Sequence, residues 1–295
     1  MSLTDVEKRR GAGLEDTDFE CFRAELSKED FKQFSDYIYD QFGIKMPEVK
    51  RVMLQGRLLK RIRDLKMHSY TEYKEYFFSR EGQQNELYNF LSVVTTNKTD
   101  FFRESVHFDF LQNEALPEME REGKKNVKIW SAACSSGEEP YTISIVMNEY
   151  IEHHPGMTFT VLGTDISANV LEKAARGVYA EKLINMIPLE MKRKYFLRSK
   201  DRENPTVRVV PALQRTLSLK YLNFMDQNYE VDNDFDVIFC RNVLIYFDRE
   251  TQERVINKLC SKLRSGGYLF IGHSESMANM DVPLENIQPT IFKRK

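Results

Sequence analysis

The sequence predicts an α/β protein: a doubly wound, mostly parallel sheet, preceded by an all-helical domain and carrying a small β-subdomain insertion. Three observations lead there. Before about residue 100 apolar residues recur at helical spacing, whereas after Val127 short apolar strands alternate with helices, the pattern of a parallel sheet covered on both faces. Ile129–Tyr141, reading IWSAACSSGEEPY, runs a strand through a turn of small residues into a helix, and Val161–Ser167, VLGTDIS, ends a second strand on a carboxylate. Tyr195–Pro211 sets KDRENPT between FLR and VRVVP, which reads as a hairpin leaving the sheet.

The elements follow in order. Residues 1–13 are polar and glycine-containing and read as a tail. A helical domain is expected over 18–97. Phe31, Phe34, Tyr37, Ile38 and Phe42 share one face of a first helix, which Gly43 closes. A second helix runs from about Glu48 to Leu65, with Leu54, Leu58 and Ile62 on its apolar side. Thr71 opens an aromatic-rich third helix, and a fourth spans about Asn85–Val94. The sheet domain is expected over 98–295, with the β-excursion at about 195–215. Its strands are Val127–Ala133, Thr158–Asp165, Leu217–Leu222, Phe235–Cys240, Tyr268–His273 and Thr290–Lys293. Its helices are Glu139–His153, Ala168–Arg176 and Arg249–Leu263. Phe235–Cys240 is read as apolar throughout, and therefore as a central strand.

Composition narrows the function classes. The chain has 295 residues, 41% hydrophobic and 30% charged, which suits one large globular domain or two moderate ones. A net charge of −2 offers no global field for nucleic acid. Cys21, Cys134, Cys240 and Cys260 lack C-x-x-C spacing and, with no secretory signal, read as reduced cytosolic thiols. No apolar run approaches the ~20 residues that span a bilayer. The expectation is a cytoplasmic monomer with no metal, no membrane insertion and no nucleic-acid partner.

Small residues in a strand-to-helix turn let the backbone approach a ligand, and an acid ending the next strand suits a ribose diol. Of this turn only Gly137 is glycine, a departure from G-x-G-x-x-G. Close backbone contact is what a pyrophosphate requires and what S-adenosylmethionine, having no phosphates, does not. The turn therefore favours a methyl-donor site over a hydride-transfer site. Each candidate residue also has a plain structural reading. Asn97 and Thr99 can cap a helix and Arg103 can be a surface cation. Glu138 can complement a helix dipole, Asp165 can cap the next helix, and Tyr246 can be a core aromatic. His273 reads as structural, because no G-x-S-x-G elbow accompanies it.

Five blocks occur in order: TTNKTDFFRE (Thr95–Glu104), WSAACSSGEEPY (Trp130–Tyr141), LGTDIS (Leu162–Ser167), FDVIFCRNVLIYFD (Phe235–Asp248) and LRSGGYLFIGHSE (Leu263–Glu275). Together they resemble the bacterial chemotaxis receptor methyltransferases, the CheR family, over nearly the whole chain. The resemblance implies transfer of a methyl group from S-adenosylmethionine to glutamate γ-carboxylates on chemoreceptor cytoplasmic helices, with S-adenosylhomocysteine as product. It implies a donor pocket of Asn97, Thr99, Arg103, Glu138, Asp165, Asn223, Phe224, Arg241 and Asn242. Within it Glu138 accepts from the donor's ammonium, Asp165 binds the ribose, and Asn223 and Phe224 border the adenine. Arg103, Arg241 and Tyr246 are implied at the methyl-transfer centre. A carboxylate is already ionised at pH 7, so it needs positioning and desolvation more than a base, and Arg and Tyr suit that task. Two other readings stay open: a methyltransferase of the same fold acting on a small carboxylic acid, and a non-catalytic nucleoside-binding adaptor.

The segment 50–63 concentrates cations (Lys50, Arg51, Arg57, Lys60, Arg61, Arg63) on what reads as one helix. Given the resemblance, it is expected to dock the acidic receptor helices. The excursion KDRENPT lacks the glycines associated with family members that bind a receptor's C-terminal pentapeptide, so no tether is assigned.

Overall fold

A computed structural model of the chain describes residues 25–295. The expected tail, the start of the helical domain at Asp18 and Cys21 lie outside the described residues. These residues form two units, one ending at Ile38 and resuming over Met46–Val94, the other comprising Tyr39–Lys45 and Thr95–Lys295.

The first unit is all-helical. It contains α1 (Lys28–Phe42) through Ile38, α2 (Arg51–Asp64) behind a single 3-10 turn, α3 (Tyr70–Phe78), α4 (Arg80–Asn85) and α5 (Leu87–Val94). Ser69 starts α3 by accepting from Glu72 N at 3.0 Å, and Ser79 starts α4 by accepting from Gly82 N at 3.1 Å. Aromatic rings fill the interior: Phe34 lies 5.6 Å from Phe90, and Phe77 lies 4.2 Å from Phe90. One buried acid, Glu86, is held bidentately by Arg61 at 2.6 and 2.8 Å and also accepts from Tyr73 Oη at 3.1 Å. This qualifies the expected docking face. Arg61 is spent on Glu86 and Asp64, Arg51 donates to Leu26 O, and Arg57 donates to Val94 O. Lys60 and Arg63 are the exposed cations of α2.

The second unit is built on a seven-stranded sheet: β1 (Asn126–Ala132), β2 (Thr158–Asp165), β6 (Leu217–Tyr221), β7 (Phe235–Cys240), β8 (Leu263–Ile271), β9 (Leu284–Gln288) and β10 (Ile291–Arg294). The order is β6-β2-β1-β7-β8-β10-β9, with the first five strands parallel and β10 antiparallel to both neighbours. Period-two alternation supplies two cores. Val127, Ile129, Val237 and Phe239 face one layer, while Trp130, Ala132, Ile238 and Cys240 face the other. Helices α8 (Glu138–His153) and α12 (Arg249–Lys262) cover these faces. The α/β, mostly parallel class expected from the sequence is thus the observed one.

Several details depart from the sequence reading. β7 is not apolar throughout, because Asp236 lies buried in it. It is tolerated because Lys124 at 2.8 Å, Arg264 at 2.7 Å and the Lys128 N–H at 2.9 Å converge on it. β8 starts at Leu263 rather than Tyr268, since a register shift between Phe235 and Val237 absorbs the SGG segment into the ladder. β9 was not expected, because it is an exposed edge strand without apolar alternation. Val106–Phe110 (α6), a π turn over Leu111–Ala115 and Leu116–Arg121 (α7) form an unanticipated helical run. In the excursion, β4 (Phe196–Arg198) and β5 (Thr206–Val209) pair as expected, and β3 (Val178–Ala180) joins them in a separate antiparallel three-stranded sheet. No helix among the described residues is long and apolar enough to cross a membrane.

A pH test follows for the helical unit. Burial alone would raise the carboxyl pKa of Asp30, but Lys74 at 2.6 Å and Thr71 at 3.3 Å more than offset it and hold it below the ordinary value. A carboxylate depressed in the folded state contributes stability above its unfolded pKa, lost as pH falls through its folded pKa. Asp30→Asn should therefore cost about 1–3 kcal/mol at pH 7, with the gap to wild type narrowing below about pH 4. Urea denaturation at pH 7 and pH 3 measures this, and an equal gap at both values would contradict it.

Candidate active site

Every strand of the central parallel group delivers a loop to one edge of the sheet. β1 and β7 are neighbours, but the chain continues from β1 to β2 on the other side, so the strand order reverses at their carboxyl ends. Open α/β sheets bind ligands at that crevice. The backbone is strained there. Among the described residues the non-glycine residues with positive φ include Phe102, Glu104, Ala133, Ser135 and Asn242, all in loops at this edge.

The loop after β1 is tight because its neighbours leave no room. Cys134 N extends the β1–β2 ladder to Thr164 O at 2.8 Å, and Gly137 N returns to Cys134 O at 3.1 Å. Gly137 has φ +99, and a Cβ there would sit 2.8 Å from both Ala174 Cβ and Tyr179 Oη. Only glycine lets α8 begin here. Ser135 Oγ donates to Asn97 O at 3.1 Å, which fastens the segment before α6 onto this loop.

Asp165 ends β2 almost fully buried. Its two carboxylate oxygens accept from Ser135 N and Ser167 N, each at 2.9 Å, and burial pushes its pKa up. It therefore ties the β1 loop to the β2 loop. Glu138, the first residue of α8, is also buried and accepts from Ser136 Oγ at 2.7 Å. Burial raises its pKa, and no ion pair is formed by it among the described residues. A buried carboxylate without a counter-charge suits a cationic ligand group.

A second cluster sits at the end of β7. The Arg241 guanidinium is 2% exposed and bridges Glu104 and Glu139, each at 3.0 Å. It also donates to Arg103 O, while its Nε has no hydrogen-bond partner among the described residues. Glu139 is steadied by Ser131 Oγ at 2.6 Å, and Glu104 by Asn242 Nδ2 at 3.0 Å. Glu275 receives Asn242 N at 3.0 Å, Leu244 N at 2.7 Å and Gly272 N at 2.5 Å, locking the β7 exit to the β8 exit. His107 is buried and kept neutral, its pKa lowered to about 3 by burial and by Arg241.

The structure gathers most, not all, of the residues expected from sequence. Asn97, Glu138 and Asp165 meet around the β1 loop, and Arg241 and Asn242 meet the Arg103 segment through Glu104. The Arg103 side chain, half-buried, donates to Lys98 O at 2.9 Å. Thr99 is half-buried in the same segment. Tyr246 ends the 3-10 turn Leu244–Tyr246, half-buried, its carbonyl accepting from Lys45 N at 2.8 Å. Asn223 spends its amide on Gln41 O at 2.8 Å and its side-chain carbonyl on Met225 N at 2.9 Å. Phe224 packs in the core, 6.0 Å from Tyr229 and 6.1 Å from Phe247. Sequence reasoning passed over Glu104, Glu139 and Glu275. For Glu104 and Glu139 the usable signal was the acid in FFRE and GEE, because a buried arginine requires carboxylates, whereas Glu275 binds backbone N–H groups.

These features fit S-adenosylmethionine. Glu138 forms no ion pair among the described residues, Arg241 Nε lacks an acceptor, and a Cβ would close the Gly137 turn. Comparison with known proteins agrees. Residues 97–292 match the family described as CheR methyltransferase, SAM binding domain, and residues 29–92 match CheR methyltransferase, all-alpha domain. A chemotaxis protein methyltransferase of Borreliella burgdorferi is 37% identical over 274 residues, covering 91% of this chain and 95% of that protein. Chemotaxis protein methyltransferase 2 of Pseudomonas aeruginosa is 33% identical over 267 residues, covering 90% and 93%. The Escherichia coli chemotaxis protein methyltransferase is 37% identical over 262 residues, covering 88% of each. Fold and matched domain define an S-adenosylmethionine-dependent methyltransferase. The chain belongs to the CheR methyltransferase family of chemotaxis protein methyltransferases.

Gly137→Ala should lower stability by about 1–3 kcal/mol through backbone strain and overlap with Ala174 and Tyr179. It should also weaken S-adenosylhomocysteine binding about tenfold or more. Urea denaturation and calorimetry read the two effects, and a variant matching wild type in both would show the turn to be permissive.

Proposed function

We propose that the protein transfers a methyl group from S-adenosylmethionine to glutamate γ-carboxylates on chemoreceptor cytoplasmic helices. One observation carries the reading most: the Arg241 guanidinium is clamped between Glu104 and Glu139 at the carboxyl end of β7. A fixed cation that never has to lose a proton suits an acceptor that is already an anion. The names of the curated relatives support the chemotaxis substrate. When bound, S-adenosylmethionine supplies an electrophilic sulfonium methyl.

In this reading Glu138 accepts from the donor's ammonium, and Asp165 orients the ribose while its backbone bonds hold the loop. Asn97 and Thr99 line the pocket, and Asn242 holds Glu104 against Arg241. Asn223 and Phe224 border the adenine mainly through backbone and ring edge, since their polar and core contacts are taken. Arg103 and Tyr246 align the acceptor carboxylate, and the surrounding walls exclude water from it.

The test is transfer of tritium from labelled S-adenosylmethionine to receptor-containing membranes, scored as base-labile methyl ester. Arg103→Ala and Tyr246→Phe should each lower kcat about 10- to 100-fold with circular dichroism unchanged. No base-labile label with wild type, or full turnover in both variants, would reject the reading.

Acceptor docking is assigned to α2, within the proposed helix 50–63, through Lys60 and Arg63, its exposed cations, whereas Arg51, Arg57 and Arg61 are half-buried. Exposed Val49, just before α2, and Val52, in its first turn, offer apolar contact. Reversing Lys60 and Arg63 to Glu should reduce kcat/KM for receptor several-fold and flatten its salt dependence, with the S-adenosylhomocysteine Kd unchanged. Receptor kinetics at two ionic strengths decide it; unaltered kinetics would make the charges a solvated face.

A further inference from the structure

We propose that Glu104, His107 and His273 form a binding site for a divalent transition-metal ion of the zinc class. One ligand atom from each lies within 4.8 Å of the other two. Glu104 Oε2 is 3.7 Å from His107 Nδ1 and 4.0 Å from His273 Nε2. Ligand atoms about 2.1 Å from a tetrahedral ion stand roughly 3.4 Å apart, so small side-chain shifts close the site. The His273 side chain, 53% exposed, is free to make the larger one.

The second observation is a mismatch inside the protein. Thr290 Oγ1 donates to Pro289 O at 2.5 Å and lies 2.8 Å from His107 Nε2. In the tautomer that donates Nε2–H to this hydroxyl, His107 presents a bare lone pair at Nδ1. That nitrogen is buried without a partner, and it faces a carboxylate oxygen. A bare nitrogen lone pair turned toward a carboxylate oxygen is unfavourable unless a cation or a hydrogen-bond donor lies between them.

The surroundings resemble the outer shell of a metal centre. A hydroxyl holds the far nitrogen at 2.8 Å, and Asn242 fixes the second carboxylate oxygen at 3.0 Å. Two imidazoles and one carboxylate select transition metals over magnesium or calcium. Arg241 also bonds Glu104 Oε2 but shares its charge with Glu139, which leaves a lone pair of that oxygen for the ion.

The experiment uses tag-free, chelator-treated full-length protein, titrated with Zn2+ by calorimetry and with Co2+ by absorption spectroscopy. The expected result is one ion per chain with the ligand-field bands of a nitrogen–oxygen site. Exposed His273→Ala, which should fold normally, should weaken binding at least tenfold, and Thr290→Val about tenfold through the lost outer-shell bond. The proposal is overturned if wild type takes up no ion, which would leave a bridging water at Nδ1, or if His273→Ala binds with wild-type affinity. Thiolate-to-cobalt bands would place the ion on cysteine and overturn it equally.

Discussion

The sheet unit depends on one buried ion pair network. Arg241 leaves the end of β7 with its guanidinium out of solvent, and it is compatible with folding only because Glu104 and Glu139 flank it. Those acids come from different places: Glu139 from the first turn of α8, and Glu104 from the segment preceding α6. Removing either partner from a buried pair costs about 3–5 kcal/mol, because a charge is left uncompensated. The network therefore forces three chain segments to one point. It does so at the edge where the β1 and β7 loops part.

The donor side of that edge follows different physics. There the constraint is space. Gly137 starts α8 with no room for a Cβ, and Asp165 spends both oxygens on backbone N–H groups of two separate loops. A carboxylate so used is rigid, which suits the ribose contact proposed for it. Glu138 has the opposite character, being buried, with a single hydroxyl for company. The two acids thus divide between holding the pocket in shape and holding charge ready for a ligand.

Much of this was legible in the residues. Strand limits at Thr158–Asp165 and Phe235–Cys240 follow from apolar runs that no solvent-exposed segment would carry, and the helix Ala168–Arg176 from its own periodicity. Illegible were elements whose residues look ordinary in isolation. β9 is mostly exposed, and β3 has only three residues. The α6–α7 run is interrupted by a π turn that disturbs helical spacing. Asp236 was overlooked because one charge in an apolar strand is interpretable only once Lys124 and Arg264 are seen beside it.

The sequence by itself determined the layered α/β class, the small-residue turn and the acids and cations that border it, because these rest on short-range periodicity and local turn chemistry. Tertiary structure decided which charges are partners. Arg57 and Arg61, part of the basic segment 50–63, are bonded to Val94 O and Glu86, while Arg241, which the resemblance put at the methyl-transfer centre, is enclosed between Glu104 and Glu139. Charge pairing depends on proximity across long sequence separations and on burial, which fixes the dielectric around each group. Neither quantity is written in the order of residues, so the ion-pair network and the His107–Glu104 opposition emerge only when the chain is folded.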